Sequence, residues 1–160
     1  VCILCMREDC VIRRVRETWG HLGNMAPYPL LLEDVEWRTS EHAFQALRCP
    51  RGPVWDLINA EKSPMAAKMV AKAHADLRVV IPMSPEDLVL MERVLRAKLA
   101  QHVNIRELLR ETGDRHIVED CTSRPHGTGL FWGARRTDQG WEGKNWLGVK
   151  WMEIRNGNNP

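Results

Sequence analysis

A mainly helical α+β single domain with a few short strands is the fold class this sequence predicts. Three observations point there: two Ser-Pro helix starts, a short apolar run near residue 117 with strand character, and 44% hydrophobic content over 160 residues. No linker, low-complexity tract or internal repeat divides residues 1–160.

In chain order, the opening segment with Cys2, Cys5 and Cys10 reads as a short strand, because C-x₂-C-x₄-C without a second paired cluster falls short of a zinc framework. "RTSEHAFQALR", residues 38 to 48, begins a helix with Thr39 and Ser40 as caps and Glu41 in the first turn, and Ala43, Phe44 and Leu47 form its apolar face. "SPMAAKMVAKAH" starts a second helix, with Ser63 as cap and Pro64 at the first helical position. Ser84 and Pro85 repeat the signature in "SPEDLVLMERVLRAKLAQH". There Leu88, Met91, Leu95 and Leu99 predict a core stripe. "NIRELLRETGD" follows, with Asn104 as cap, Glu107 three residues later and Gly113 as terminator. "RHIVEDC" is a short buried strand, "TSRPHGTG" is turn chemistry, and "LFWGA" returns an apolar segment. In "NWLGVKWMEIR", Leu147, Trp151 and Ile154 share the face of a docked final helix.

A net charge of +2 and a pI near 8.4 neither demand nor exclude a nucleic-acid partner. Two basic groups lie far apart in sequence, Arg13, Arg14 and Arg16 in one and Arg135 and Arg136 in the other; they read either as phosphate contacts or as solvated surface. An odd cysteine count, no signal-peptide pattern and no bilayer-length apolar run predict a cytoplasmic protein without a membrane partner. The start at Val1 reads as a trimmed chain or a piece of a longer protein. No dinucleotide, Walker, zinc-protease or nucleophile-elbow motif is present, so no cofactor and no metal is expected.

Candidate chemistry sits at the edges of the apolar elements. Glu41, Gln45 and Arg48 share one helix stripe, read either as a site or as a solvated flank with a salt bridge. His42, beside Glu41, is the one histidine in a suspicious place, and a helix-surface position is its commonest explanation. Lys68 and Lys72 lie four apart, where each raises the cost of charging the other; a neutral amine is a nucleophile that forms a Schiff base with a sugar. The alternative is two solvated lysines. Glu119 ends a buried strand, where desolvation raises its pKa toward general-acid range; a structural carboxylate on turn amides is the other reading. Trp132 with Gly133 offers a stacking wall for a base, or core.

The order of "GHLGNMAPYPL", "WRTSEHAFQALR", "SPMAAKMVAK", "LLRETGDRHIVED", "FWGA", "GKNWLG" and "WMEIR" resembles the NADAR family, with its YbiA-like members, over about residues 18–156. The resemblance implies a YbiA-like α+β fold and hydrolysis of N-glycosidic bonds to ribose. Substrates in the family are riboflavin-pathway ribosylamino-pyrimidines or ADP-ribosylated guanine in nucleic acid, the latter as reversal of an ADP-ribosyltransferase toxin. "GNMAPYP", "QALR", "SPMAAKM" and "FWGA" look closer to the second group. By the same resemblance the catalytic residues are Glu41, Lys68 and Glu119, with Lys72 as second candidate for the amine. Asn24, Gln45, Arg48, Lys72, Arg78, Trp132, Gly133 and Asn145 are then substrate contacts, and Gly148 belongs to the same turn as Asn145. Phosphates of ADP-ribose are expected at Arg48, Arg78 or the Arg135 and Arg136 pair.

Three positions depart from the family pattern. Arg48 stands where many members carry lysine, Gly129 replaces an aspartate, and "VVIPMSP" replaces an R-x-D-W segment. An essential amine at position 48 would make this chain a non-catalytic ADP-ribose or nucleotide-binding module.

Overall fold

The computed structural model describes residues 8–157, and among them seven α-helices and six short strands form one α+β domain. Cys2 and Cys5 lie outside the described residues; Cys10 opens β1 (Cys10–Ile12) and is buried there. β1 runs parallel to β4 (Ile117–Glu119), with Ile12 opposite Glu119.

The helix at the centre is α1 (Ser40–Leu47), buried from Ser40 through Ala46. It packs against α2 (Pro53–Ala60), α3 (Pro64–Ala73) and α4 (Pro85–Gln101). Three of the expected caps are in place, Thr39 accepting from the His42 N–H, Ser63 from Ala66 and Ser84 from Asp87, while Ser40 lies inside α1 with its buried hydroxyl unpartnered. The final helix α7 (Trp146–Arg155) docks on β4 through Leu147, Trp151 and Ile154, all buried as the pattern predicts. Trp37 and Trp151 are fully buried, and each indole N–H donates to a backbone carbonyl, Leu32 and Leu22 respectively.

Three local expectations are corrected. Helix α5 (Val103–Glu111) starts before Asn104, with His102 at its N-cap and no side-chain cap bond. The core stripe of α4 runs through Leu90, Met91, Val94 and Leu95, while Leu88 and Leu99 are only partly buried. The reason is that Asp87 and Lys98 share that face and are buried too, each with partners that leucine spacing does not reveal. Finally, β2 (Leu30–Leu32) and β3 (Val35–Trp37) make an antiparallel hairpin absent from the sequence reading. Its turn residues Glu33 and Asp34 both have left-handed φ, 55° and 59°, as a two-residue hairpin requires, without the Asn-Gly pair that signals it.

Asp34 is exposed and carries the left-handed conformation at a steric cost that glycine avoids. Asp34→Gly should therefore raise the unfolding free energy by about 1 kcal/mol. Urea denaturation measures it, and destabilisation would show that the turn is held by the aspartate itself.

Candidate active site

The first turn of α1 holds the site's acid. Glu41 is buried, its backbone N–H donates to the Asn24 carbonyl at 3.0 Å, and one carboxylate oxygen accepts from the Gln45 amide at 2.8 Å. Asn24 is itself buried. Its amide nitrogen reaches the Met91 sulfur, while its side-chain oxygen has no partner, an acceptor left open beside Glu41's turn. His42, buried on the same turn, bonds Thr39 Oγ1 and the Glu61 carbonyl, both at 2.8 Å. With Nε2 facing a carbonyl, the neutral ring donates there and accepts the threonine hydroxyl proton at Nδ1. Burial lowers its pKa, so it is a latch between α1 and the end of α2.

Glu119, the last residue of β4, reaches the same place. Burial foremost, and then Glu41's negative charge, push its carboxyl up to about 7 against the opposing positive charge of Lys68. The three residues expected to be catalytic thus share one electrostatic neighbourhood although they come from α1, α3 and β4. Lys68 is partly buried, whereas Lys72, one turn on, is exposed. A cleft of about 580 Å³, lined by Met25, Arg38, Thr39, Lys62 and Pro64 among others, opens at the N-terminal ends of α1 and α3. Glu41 lies in the first turn of α1 and Lys68 four residues into α3, and neither they nor Glu119 are among the residues lining the cleft.

Backbone brackets aim Glu119. Asn145, itself at φ 53°, accepts from the Glu119 N–H and donates to the Ile117 carbonyl, both at 2.9 Å, so both ends of its amide serve the strand. This corrects the expectation of a substrate contact: Asn145 is a positioning residue. Gly133 and Gly148 permit the close packing, since a Cβ would stand 2.5 Å from the Glu119 carbonyl at the first and 2.1 Å from the Ile117 carbonyl at the second. Gly129 is constrained likewise, by the Arg124 carbonyl at 2.6 Å, so an aspartate has no room there on this chain path. Trp132 is partly buried, its ring edge-on to Phe44 at 5.4 Å.

Arg48 is the second correction. It is buried, donating from Nε and a terminal nitrogen to both oxygens of Asp87 at 2.8 and 2.6 Å, and the guanidinium lies 4.2 Å from the Phe44 ring centre. Its remaining terminal nitrogen donates to Gln45 at 3.5 Å, which continues the chain to Glu41. A guanidinium so enclosed is not offered to phosphate. Arg78 differs: it is partly buried, its Nε has no partner, and desolvation and the charge of Arg48 both depress its pKa. That is a guanidinium short of an anion.

Sequence reasoning missed Asp87 and Lys98. Lys98 is fully buried and donates to the carbonyls of His21 and Gly23 at 2.6 and 2.9 Å, tying the loop before Asn24 to α4; burial lowers its pKa to about 7. The signal was the 4-3-4 spacing of Asp87, Met91, Val94 and Lys98 on one face. Among the described residues no group of three or more His, Cys, Asp or Glu is arranged for a metal, and no helix is long and apolar enough to cross a membrane.

With this geometry in view, residues 13–157 match the NADAR domain, and the chain belongs to that family. It is 33% identical over 152 residues to the N-glycosidase YbiA of Escherichia coli (strain K12), covering 92% of this chain and 88% of the relative. It is 30% identical over 149 residues to the N-glycosidase Npun_R5314 of Nostoc punctiforme, covering 89% and 87%. The NMR structure of the E. coli protein YbiA superposes with a TM-score of 0.74 at 28% identity, over 98% of this chain and 89% of that one.

Two outcomes follow from the site's electrostatics. Removing one member of a buried ion pair strands the other, so Asp87→Ala should cost about 3–5 kcal/mol of unfolding free energy in urea; a loss below about 1 kcal/mol would show that the pair is no anchor. For Glu119, the folded pKa lies above the ordinary carboxyl value of 4.5, so its stabilisation is full below about pH 4.5 and is lost as pH rises through about 7. Glu119→Gln, always neutral, should exceed the wild type in stability at pH 8 by up to about 3 kcal/mol and match it near pH 4.5. The same difference at both pH values would rule out the raised carboxyl.

Proposed function

We propose that this chain is an N-glycosidase that removes ADP-ribose from guanine in nucleic acid. Family membership and the two N-glycosidases above support the reaction class; the substrate is our reading. One observation carries the chemistry: a carboxyl at Glu119 whose pKa is raised to about 7, beside a carboxylate at Glu41 and an amine at Lys68. A general acid near neutrality and a second carboxylate for a developing oxocarbenium ion are what cleavage at a ribose anomeric carbon needs.

In this reading the Glu119 carboxyl gives its proton to the departing base nitrogen, which leaves with the electron pair of the C1–N bond. Glu41 stabilises the positive charge on C1 and the ring oxygen. The Lys68 ammonium returns a proton to the Glu119 carboxylate, and the freed amine bonds to C1 through its lone pair. One proton of that nitrogen then passes to the ring oxygen as the C1–O bond breaks, giving a protonated imine; water adds to C1, and collapse frees the sugar and the lysine. Asn24's open side-chain oxygen accepts from a ribose hydroxyl, Trp132 supports the base, and Arg78 meets the pyrophosphate. Arg48, in place of a lysine, serves Gln45 and Glu41 instead of the sugar.

The test is incubation with DNA ADP-ribosylated on guanine, following free ADP-ribose by mass spectrometry, with Glu41→Gln as control. Release by the wild type and at least a hundredfold less by Glu41→Gln is expected, in the range for loss of one acid–base group. Cleavage of ribosylamino-pyrimidine phosphates with modified DNA left intact would transfer the protein to riboflavin-pathway intermediates, and binding of ADP-ribose without release would make it a binding module. Lys68→Ala should abolish covalent trapping by borohydride; full trapping in that variant would remove Lys68 from its role.

A further inference from the structure

The two basic groups that stand far apart in sequence meet at one edge of the fold. Ile12 pairs with Glu119 in the parallel ladder, the Asp120 N–H donates to the Ile12 carbonyl at 2.8 Å, and Asp120 bridges in parallel to Ala134. Residues 13–14, 120–122 and 135–136 therefore leave the sheet side by side, past the strand end that presents Glu119. Further bonds tie the segments together: Cys121 N–H to the Ala134 carbonyl at 2.9 Å, Arg136 N–H to Thr122 Oγ1 at 2.8 Å, and Arg124 N–H to the Cys121 carbonyl at 2.8 Å. Charge reports the same adjacency. The Cys121 thiol is raised by burial, then by the negative charges of Glu119 and Asp120, and lowered by Arg135.

Five arginines have their backbone along or next to this edge, Arg13, Arg14, Arg124, Arg135 and Arg136, and Arg16 follows two residues after Arg14. Acids stand among them, including Asp9, whose carboxylate accepts from the Trp141 indole N–H at 3.0 Å. Glu17 pairs with Arg13 at 3.0 Å, Glu142 takes Arg135 at 2.9 Å, and the Asp120 carboxylate accepts from the backbone and hydroxyl of Thr122. Arg136 lies 4.3 Å from the ring centre of Trp141. Arg14, Arg16 and Arg124 are exposed and carry no ion pair among the described residues.

We propose that this arginine edge holds the phosphates of a nucleic-acid strand on either side of the modified base. The proposal rests on the N-glycosidase reading for its orientation and adds the surface that holds the polymer. Repeated exposed guanidiniums without base-reading side chains would give sequence-independent, salt-sensitive binding. An acidic protein is the rival polyanion.

The experiment measures binding of an unmodified single-stranded DNA oligonucleotide by fluorescence anisotropy across a salt series. It compares the wild type, the Arg14→Gln/Arg16→Gln/Arg124→Gln triple variant, and Arg106→Gln/Arg110→Gln on α5 as a charge control. The triple variant should lose at least tenfold in affinity, and its dependence of log K on log salt should become shallower by about 2, at about 0.7 per lost phosphate contact. The α5 control should bind as the wild type does. Wild-type affinity and slope in the triple variant, or equal competition by polyglutamate and DNA, would overturn the proposal. The two readings fail separately: impaired oligonucleotide binding with no ADP-ribose released by the wild type would sustain the edge and defeat the proposed reaction, while release with unaltered binding in the triple variant would do the reverse.

Discussion

The buried pair between Arg48 and Asp87 is the interaction on which the site depends. A helix as polar as α1 is seldom placed in a core, because each desolvated polar group must find a partner. Here the pair supplies the anchor at one end. Asp87 also accepts from the Met83 N–H, holding a residue at φ 64°, and the Arg48 carbonyl accepts from Val79 and Val80. The same guanidinium reaches Gln45, and Gln45 reaches Glu41. An ion pair between α1 and α4 thereby orients a carboxylate almost two turns away.

At the other end, Thr39, His42 and the Asn24 carbonyl satisfy the first turn, and Lys98 holds the loop that brings Asn24 there. Glu119 arrives from a different layer, aimed by Asn145 and admitted by Gly133 and Gly148. The result is two carboxyl groups and a lysine gathered by three elements, with few ways to shift any one of them alone. Such support from packed elements is what preorganisation of a reacting group requires.

Much was legible in local chemistry. Thr39, Ser63 and Ser84 cap their helices because a hydroxyl before a helix satisfies free N–H groups wherever the sequence lies. Leu147, Trp151 and Ile154 are buried as their spacing predicts. Glu33 and Asp34 hid their hairpin because they adopt left-handed φ without the residues that usually mark it. Arg48 misled for a different reason: a helix-surface arginine and a buried one are identical in sequence until the partner, 39 residues away, is known.

By itself the sequence determined the helix starts, the last helix's docking face and, through the ordered motifs, the family. These rest on local hydrogen bonding and on side-chain period, which act over a few residues. Only the tertiary structure decided that Arg48 serves Asp87, that Asn145 brackets a strand, that Lys98 is enclosed, and that two distant arginine groups share one edge with Glu119. Each of those depends on which desolvated group finds which partner across the fold, and sequence spacing carries no record of that choice.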